Sequence, residues 1–218
     1  MEPMPVASVL ALEEAMPDYL SALVPFATGT GLRQGEVFGL TWDRIDFKKQ
    51  IVTVNRQLVS VTGNRPKFGP PETDASYRDV PFADDTLEAL LRHQEEFGDG
   101  RNGLVFHARE NGPLRRNRFS EILGTARDRA GLAKAWTMHD FRHFYASMLI
   151  SQNASYKQVQ ERLGHENAME TINTYSHLWP NDDELTRKAV TAVLGAARAE
   201  RAKQRAAEAA ATTQQPDS

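Results

Sequence analysis

Apolar residues first recur at helical spacing at Leu20, Leu23, Val24 and Ala27, after Pro17-Asp18, and Gly29 to Gly31 predicts the close of that helix. A second short helix is expected to begin near Gln34. The period then shortens. Ile51-Val52-Thr53-Val54 and Gln57 to Val61 read as β-strands, a Gly/Pro-rich turn follows, and Arg78 to Phe82 reads as a further short strand. Helical spacing returns at Asp84, where Leu87, Leu90, Leu91 and Phe97 share a face and Gly98 ends it. Phe119, Ile122, Leu123, Ala126 and Ala130 predict another helix, with Asn117 as N-cap and Gly131 just past its end. Phe141, Phe144, Tyr145, Met148 and Leu149 mark the clearest helix. Ser155 with Gln158 is a capping-box pair opening the next, which carries Val159 and Leu163 and stops at Gly164. After Pro180, Leu185, Ala189, Val190, Val193 and Leu194 form an amphipathic stripe, followed by Ala/Arg/Glu-rich and then Thr/Gln/Pro-rich sequence, which predicts a final helix fraying into a disordered tail. The expected fold class is α+β, mainly helical, with a small antiparallel β-sheet.

At 218 residues the chain is long enough for one good core, or one domain plus a tail. No apolar run reaches membrane-spanning length and the amino terminus lacks a basic-then-apolar signal, so a soluble cytoplasmic protein is expected. The absence of cysteine removes disulfides, thiolate zinc sites and cysteine nucleophiles. A net charge of −3 and a pI near 6.1 count mildly against nucleic acid as a partner. The distribution softens that objection: between Arg101 and Arg142 nine Lys and Arg face four Asp and Glu, whereas Glu72 to Asp99 reverses the balance.

The candidate chemistry lies in short segments far apart in sequence: Gly31-Leu32-Arg33-Gln34-Gly35-Glu36, His139-Asp140-Phe141-Arg142-His143, Leu163-Gly164-His165 and Tyr175-Ser176-His177. Arginine is suited to a phosphodiester because its planar fork donates paired hydrogen bonds and stays charged. His139 and Arg142, three apart on a helix, share a face and can reach one phosphate together. Tyr175 is a candidate nucleophile whose phenol, with an ordinary pKa of ~10, needs cations and a proton acceptor nearby. His139 and His143 are also spaced like two zinc ligands on a helix. The glutamate of the His-Glu-x-x-His pattern is missing and Arg142 would repel the ion, so no metal is assigned.

Gly-Leu-Arg-Gln-Gly-Glu, His-Asp-Phe-Arg-His-Phe-Tyr-Ala-Ser, Leu-Gly-His and Thr-Ile-Asn-Thr-Tyr-Ser-His resemble the boxes of the tyrosine recombinase (phage integrase) family, in family order, over roughly residues 20 to 180. The resemblance implies a catalytic domain that cuts DNA by tyrosine attack, making a 3′-phosphotyrosyl link and a free 5′-hydroxyl, then rejoins a different strand without metal or cofactor. It implies Arg33 and Arg142 as phosphate clamps, His139 and His165 as proton-transfer or hydrogen-bonding groups, Tyr175 as nucleophile, Glu36 ordering the site near Arg33, and His177 in support. The implied partners are double-stranded DNA recombination sites and further copies of the chain, in a tetrameric synapse. The implied layout is a catalytic domain over residues 1–180 and a C-terminal amphipathic helix and tail over 181–218, with the family's N-terminal core-binding domain absent.

The hairpin departs from the family pattern. Where the family places a general-acid lysine, often as Pro-Lys-Thr followed by Ser-x-Arg and Val-Pro, this chain has Pro71-Glu72-Thr73, then Ser76-Tyr77-Arg78 and Val80-Pro81. Glu72 would repel phosphate there, which leaves Lys67, five residues earlier, as the substitute candidate. The reading is therefore a site-specific recombinase whose activity Glu72 weakens. The alternatives are a catalytically impaired DNA-binding relative that assembles on recombination sites and a type IB topoisomerase-like enzyme.

Overall fold

The computed structural model describes residues 3–63, 65–133, 136–179 and 183–213, apart from the side chains of 184, 185 and 207–213. The chain divides into two units, residues 1–179 and 180–218. The first opens with α1 (Val6–Ala15), for which the sequence pattern gives no expectation. This helix buries Val9 and Leu12 but exposes Val6 and Leu10, so its apolar residues lie on both faces and blur the helical period. The single helix expected after Pro17 is two, α2 (Asp18–Ser21) and α3 (Leu23–Thr30), and α3 buries Leu23, Val24, Phe26 and Ala27. Short α4 (Gln34–Phe38) follows.

Two small antiparallel arrays come next, where one sheet was expected. β1 (Ile45–Asp46), β2 (Ile51–Val54) and, later in the chain, β5 (Arg78–Pro81) form a three-stranded sheet in the order β1-β2-β5, in register at Ile45 with Val52 and at Val52 with Val80. The other array is a hairpin of β3 (Gln57–Thr62) and β4 (Arg65–Gly69). The segment read as a Gly/Pro-rich turn therefore contains a strand. Gly63, with φ 59°, lies in the reversal, and Pro66 is accommodated because both strands of a two-stranded array are edges.

Helix α5 (Asp84–Phe97) buries Thr86, Ala89, Leu90 and His93 and leaves Leu91 exposed, so its inner face is rotated from the expected leucine stripe. Helix α6 (Arg116–Arg129) buries Phe119, Ile122, Leu123 and Ala126. Its N-cap is Arg115 instead of Asn117, because the Arg115 carbonyl already accepts from Phe119 N at 2.9 Å. Helix α7 (Met138–Ser151) starts from a Thr137/Asp140 capping box and packs on α3. Helix α8 (Tyr156–Leu163) opens on the expected Ser155/Gln158 pair, and α9 (Ala168–Tyr175) is capped by Asn167. A large core cluster runs through α1 to α6 and the sheet. A smaller one joins Tyr145, Ala146 and Ile150 of α7 to Val159, Leu163 and Tyr175.

The second unit consists of α10 (Asp183–Val190), one π-type turn over Thr191–Gly195 and α11 (Ala196–Thr213). The end of the expected tail, 214–218, lies outside the described residues, as does Lys134 of the basic stretch. Among the described residues no helix is long and apolar enough to cross a membrane.

Candidate active site

Helix α3 ends because Gly31 adopts φ 63° in the left-handed region, where a glycine carries no steric penalty. A Cβ at Gly31 would also stand 2.3 Å from Tyr145 Cδ1, so α3 and α7 approach here only because that atom is missing. The turn makes Arg33 the N-cap of α4. Arg33 Nη1 donates to Ser76 Oγ at 3.0 Å and Nη2 to the Gly164 carbonyl at 3.1 Å. Glu36 is buried behind it and accepts from Arg33 N at 2.8 Å and from both Arg78 Nη2 and Nη1, at 2.9 and 3.1 Å. Burial pushes the Glu36 carboxyl up, but the hydrogen bonds and charge of Arg78 and Arg33 outweigh it and hold it below the usual carboxylate range. Glu36 stays ionised and fixes Arg33 and Arg78 together.

Arg142 projects from α7, its Nη1 donating to the Gly31 carbonyl and its Nη2 to the Leu163 carbonyl, both at 2.7 Å. Burial, helped by the charge of Arg33, lowers it to about 10, which still leaves it cationic at neutral pH. One turn earlier on the same helix, His139 is exposed. His165 follows Gly164, whose φ of 67° ends α8 and whose missing Cβ would meet Ala75 O at 3.1 Å. The His165 ring lies with Nδ1 2.8 Å from Thr171 Oγ1 and Nε2 3.3 Å from Glu170 Oε1. Burial, then the charges of Arg142 and Arg33, pull it to about 3, so it is neutral and the Glu170 contact is not an ion pair at neutral pH.

Tyr175 closes α9 and is buried, with 3% of its surface exposed. Its Oη lies 2.7 Å from His143 Nδ1. Burial pushes the phenol up to about 12, with Arg142 opposing and Glu170 adding to the shift. From sequence alone His143 has no role beyond its zinc-ligand spacing from His139. The signal for its contact with the tyrosine is tertiary, since the two residues are 32 apart in the chain.

Arg33, His139, Arg142, His143, His165 and Tyr175 all line one cavity of about 660 Å³, to which α6 adds Arg116 and Arg127 from the basic stretch. Lys67 is exposed on β4 and is not among the cavity's lining residues. Glu72 is among them, its Oε2 lying 3.5 Å from Arg33 Nε. His177 is exposed and lines a second cavity of about 260 Å³ that His139, His143 and Tyr175 share. The arrangement sets two cationic forks, two neutral imidazoles and a phenol around a space where a phosphodiester can be held and a proton moved.

Comparison with known proteins identifies the family and the fold. The profile of the phage integrase family matches residues 6–181. A tyrosine recombinase XerC-like protein of Caldanaerobacter subterraneus is 32% identical over 191 residues, which are 78% of this chain and 48% of that protein. The prophage integrase IntR of Escherichia coli is 28% identical over 204 residues, 83% of this chain and 48% of its own. The chain thus spans about half the length of these relatives. Among solved structures, the Tn1549 transposon integrase in complex with circular intermediate DNA superimposes with a TM-score of 0.73 over 88% of this chain and 67% of its own, at 21% identity, which speaks for the fold. XerA recombinase follows at 0.64, with 20% identity over 88% of this chain and 62% of its own. With its fold that of tyrosine recombinase catalytic domains and nearly all of its first unit matched by the family's profile, the chain belongs to the phage integrase family of tyrosine recombinases.

Proposed function

We propose that the chain is the catalytic part of a site-specific recombinase that cuts and rejoins double-stranded DNA through Tyr175. The observation that carries this reading is the placement of the Tyr175 phenol in one cavity with the guanidinium groups of Arg33 and Arg142. A phosphate in that cavity meets two permanently cationic forks, which neutralise the charge that grows on the non-bridging oxygens as the phosphorus becomes five-coordinate. Tyr175 Oη attacks, the P–O5′ bond breaks, and the strand is left with a 3′-phosphotyrosyl link and a free 5′-hydroxyl. Rejoining is the same displacement in reverse, so the bond energy is conserved and no nucleotide is consumed. His165, whose two ring nitrogens lie beside Thr171 and the half-exposed Glu170, lines the same cavity and takes a hydrogen-bonding role toward the phosphate once Glu170 gives way, and the exposed His139 lines the cavity as well.

The leaving 5′-oxygen needs a proton, and at the expected lysine position Glu72 withholds one. We read Glu72 as weakening cleavage and leave to Lys67 only the chance to arrive with the hairpin. Several relatives were solved on DNA, including the Tn1549 integrase and a lambda integrase dimer bound to a core site. We accordingly assign DNA recombination sites as substrate and self-association on DNA, up to a four-chain synapse, as the working state. We place this work in the cytoplasm, in keeping with a described chain in which no helix is long and apolar enough to cross a membrane.

The test uses a library of nicked duplexes of randomised sequence incubated with the purified chain and then denatured. A strand covalently attached to the protein, with peptide mass mapping placing the phosphate on Tyr175, is the expected result, and Tyr175→Phe should bind DNA yet give no adduct. Adducts at the wild-type level in that variant would remove Tyr175 from the chemistry. A wild type that binds but never forms an adduct would make the chain a DNA-binding relative instead.

A further inference from the structure

We infer that His143 is the proton acceptor for Tyr175, taking the phenolic proton on Nδ1 as the tyrosine attacks phosphorus and returning it when the tyrosine leaves. This assignment rests on the reading of Tyr175 as the nucleophile. Its geometric basis is the 2.7 Å separation of His143 Nδ1 and Tyr175 Oη, with the two rings edge-to-face at 5.3 Å between centroids. Among the described residues no other side chain hydrogen-bonds the phenol oxygen, and His165, the other neutral imidazole of the cavity, is engaged by Thr171 and Glu170. A general base must lie within about 2.6–3.2 Å of the atom whose proton it takes, measured between heavy atoms, and His143 does.

The surroundings of the imidazole fit the role. Its Nε2 is buried without a hydrogen-bond partner, and the exposed His139 ring stands edge-to-face at 4.2 Å. Burial, then the nearness of His139, lowers His143 to about 4, so at neutral pH it is unprotonated and ready to accept. The charged and titratable groups facing it are His139, Asp140 and Arg142 on its own helix, His165 and Glu170 across the cavity, and His177 beyond the tyrosine. The step balances. The Tyr175 O–H bond breaks as the O–P bond forms, the proton moves to Nδ1, and the P–O5′ electron pair leaves with the 5′-oxygen, which takes its proton from elsewhere. In rejoining, the imidazolium gives that proton back to Oη. A cation 2.7 Å from the departing phenolate also favours its departure.

The experiment uses a duplex recovered from the randomised library and single-turnover cleavage from pH 6 to 10. His143→Asn keeps a carbonyl oxygen near the Nδ1 position to receive the phenol but cannot carry the proton away. Its cleavage at pH 7 should fall by about 10²–10⁴-fold and climb with pH as hydroxide takes over, whereas the wild type stays nearly flat above pH 6. A substrate with a 5′-bridging sulfur should not rescue it, because the loss lies on the nucleophile's side. Wild-type cleavage by His143→Asn, or full rescue by the sulfur substrate, would overturn the assignment while leaving adducts at Tyr175, and hence the nucleophile, intact. Should the variant not fold, ¹⁵N resonances of the histidine rings in the wild type decide. An unprotonated His143 Nδ1 whose shift moves in Tyr175→Phe is expected, and a proton resident on Nδ1 overturns the proposal.

Discussion

The Glu72 carboxylate stands 3.5 Å from Arg33 Nε, on the rim of the cavity that holds Tyr175. The pair is partly in solvent, with side-chain exposures of 59% and 19%, so the contact adds little stability and its consequence is chemical: a negative charge sits beside an arginine proposed to hold phosphate. Glu72→Lys should raise cleavage of ordinary DNA by on the order of 10², because it removes the repulsion and supplies a proton donor for the 5′-oxygen. With a 5′-bridging sulfur the wild type should already be fast. Gel assays on the two substrates check this, and equal wild-type rates on both would show that the leaving group is protonated some other way. Lys67→Ala slows only the ordinary substrate if the hairpin brings that lysine in.

Arg142→Lys keeps a cation but cannot hold the Gly31 and Leu163 carbonyls and a phosphate at once. Cleavage per folded molecule should fall by ~10²–10³, while DNA affinity, measured by gel shift, changes far less. Parallel losses would reduce Arg142 to an electrostatic anchor.

Glu36→Ala strands the buried Arg78 without its bidentate partner. Urea unfolding should register a loss of about 3–5 kcal/mol, the cost of an uncompensated buried charge. A change below ~1 kcal/mol would mean that Arg78 finds other acceptors.

Acid should destabilise the fold before the carboxylates titrate. His143 and His165 are pulled from 6.5 to about 4 and about 3, so below pH 6.5 the unfolded chain binds protons that the folded chain refuses. Stability is therefore full above pH 6.5 and falls as pH drops toward 4, with Glu36, itself lowered, joining below its ordinary 4.5. Thermal melts at pH 7.5, 6 and 5 should show a declining midpoint, and His165→Asn should flatten that decline. An unchanged midpoint across this range would mean that neither ring is held neutral by the fold.

Much of the helical frame was legible because its stops are local chemistry. Gly31, Gly98, Gly131 and Gly164 each take a positive φ where a helix was expected to end, and the Ser155/Gln158 box opens α8. What the pattern hid depends on neighbours far away. Strand β4 is masked by Pro66, tolerated only because its hairpin has no inner strand. Leu91 and Met148 look like core residues but face outward, since the inner faces of α5 and α7 are set by the elements they meet. The candidate residues were visible as types in short boxes. Their partners were not: Ser76 and Gly164 for Arg33 and His143 for Tyr175 are tertiary contacts, and Thr171, six residues after His165, meets it across a loop and a helix start, at a separation that no helical or strand period announces.

The carbonyls that hold the two arginines also set how much of the chain must be made before the proposed site can form. Arg33 reaches residues 130 and 131 positions downstream, and Arg142 ties Gly31 to Leu163. On a ribosome Leu163 and Gly164, and then Tyr175, emerge well over a hundred residues after Gly31 and Arg33, so a nascent or prematurely terminated chain lacking residues from Leu163 onward has neither the anchors of the arginine pair nor the tyrosine proposed as nucleophile. Under the proposed function, synthesis through Tyr175 is thus a safeguard against stray strand breaks, imposed by the geometry of the site.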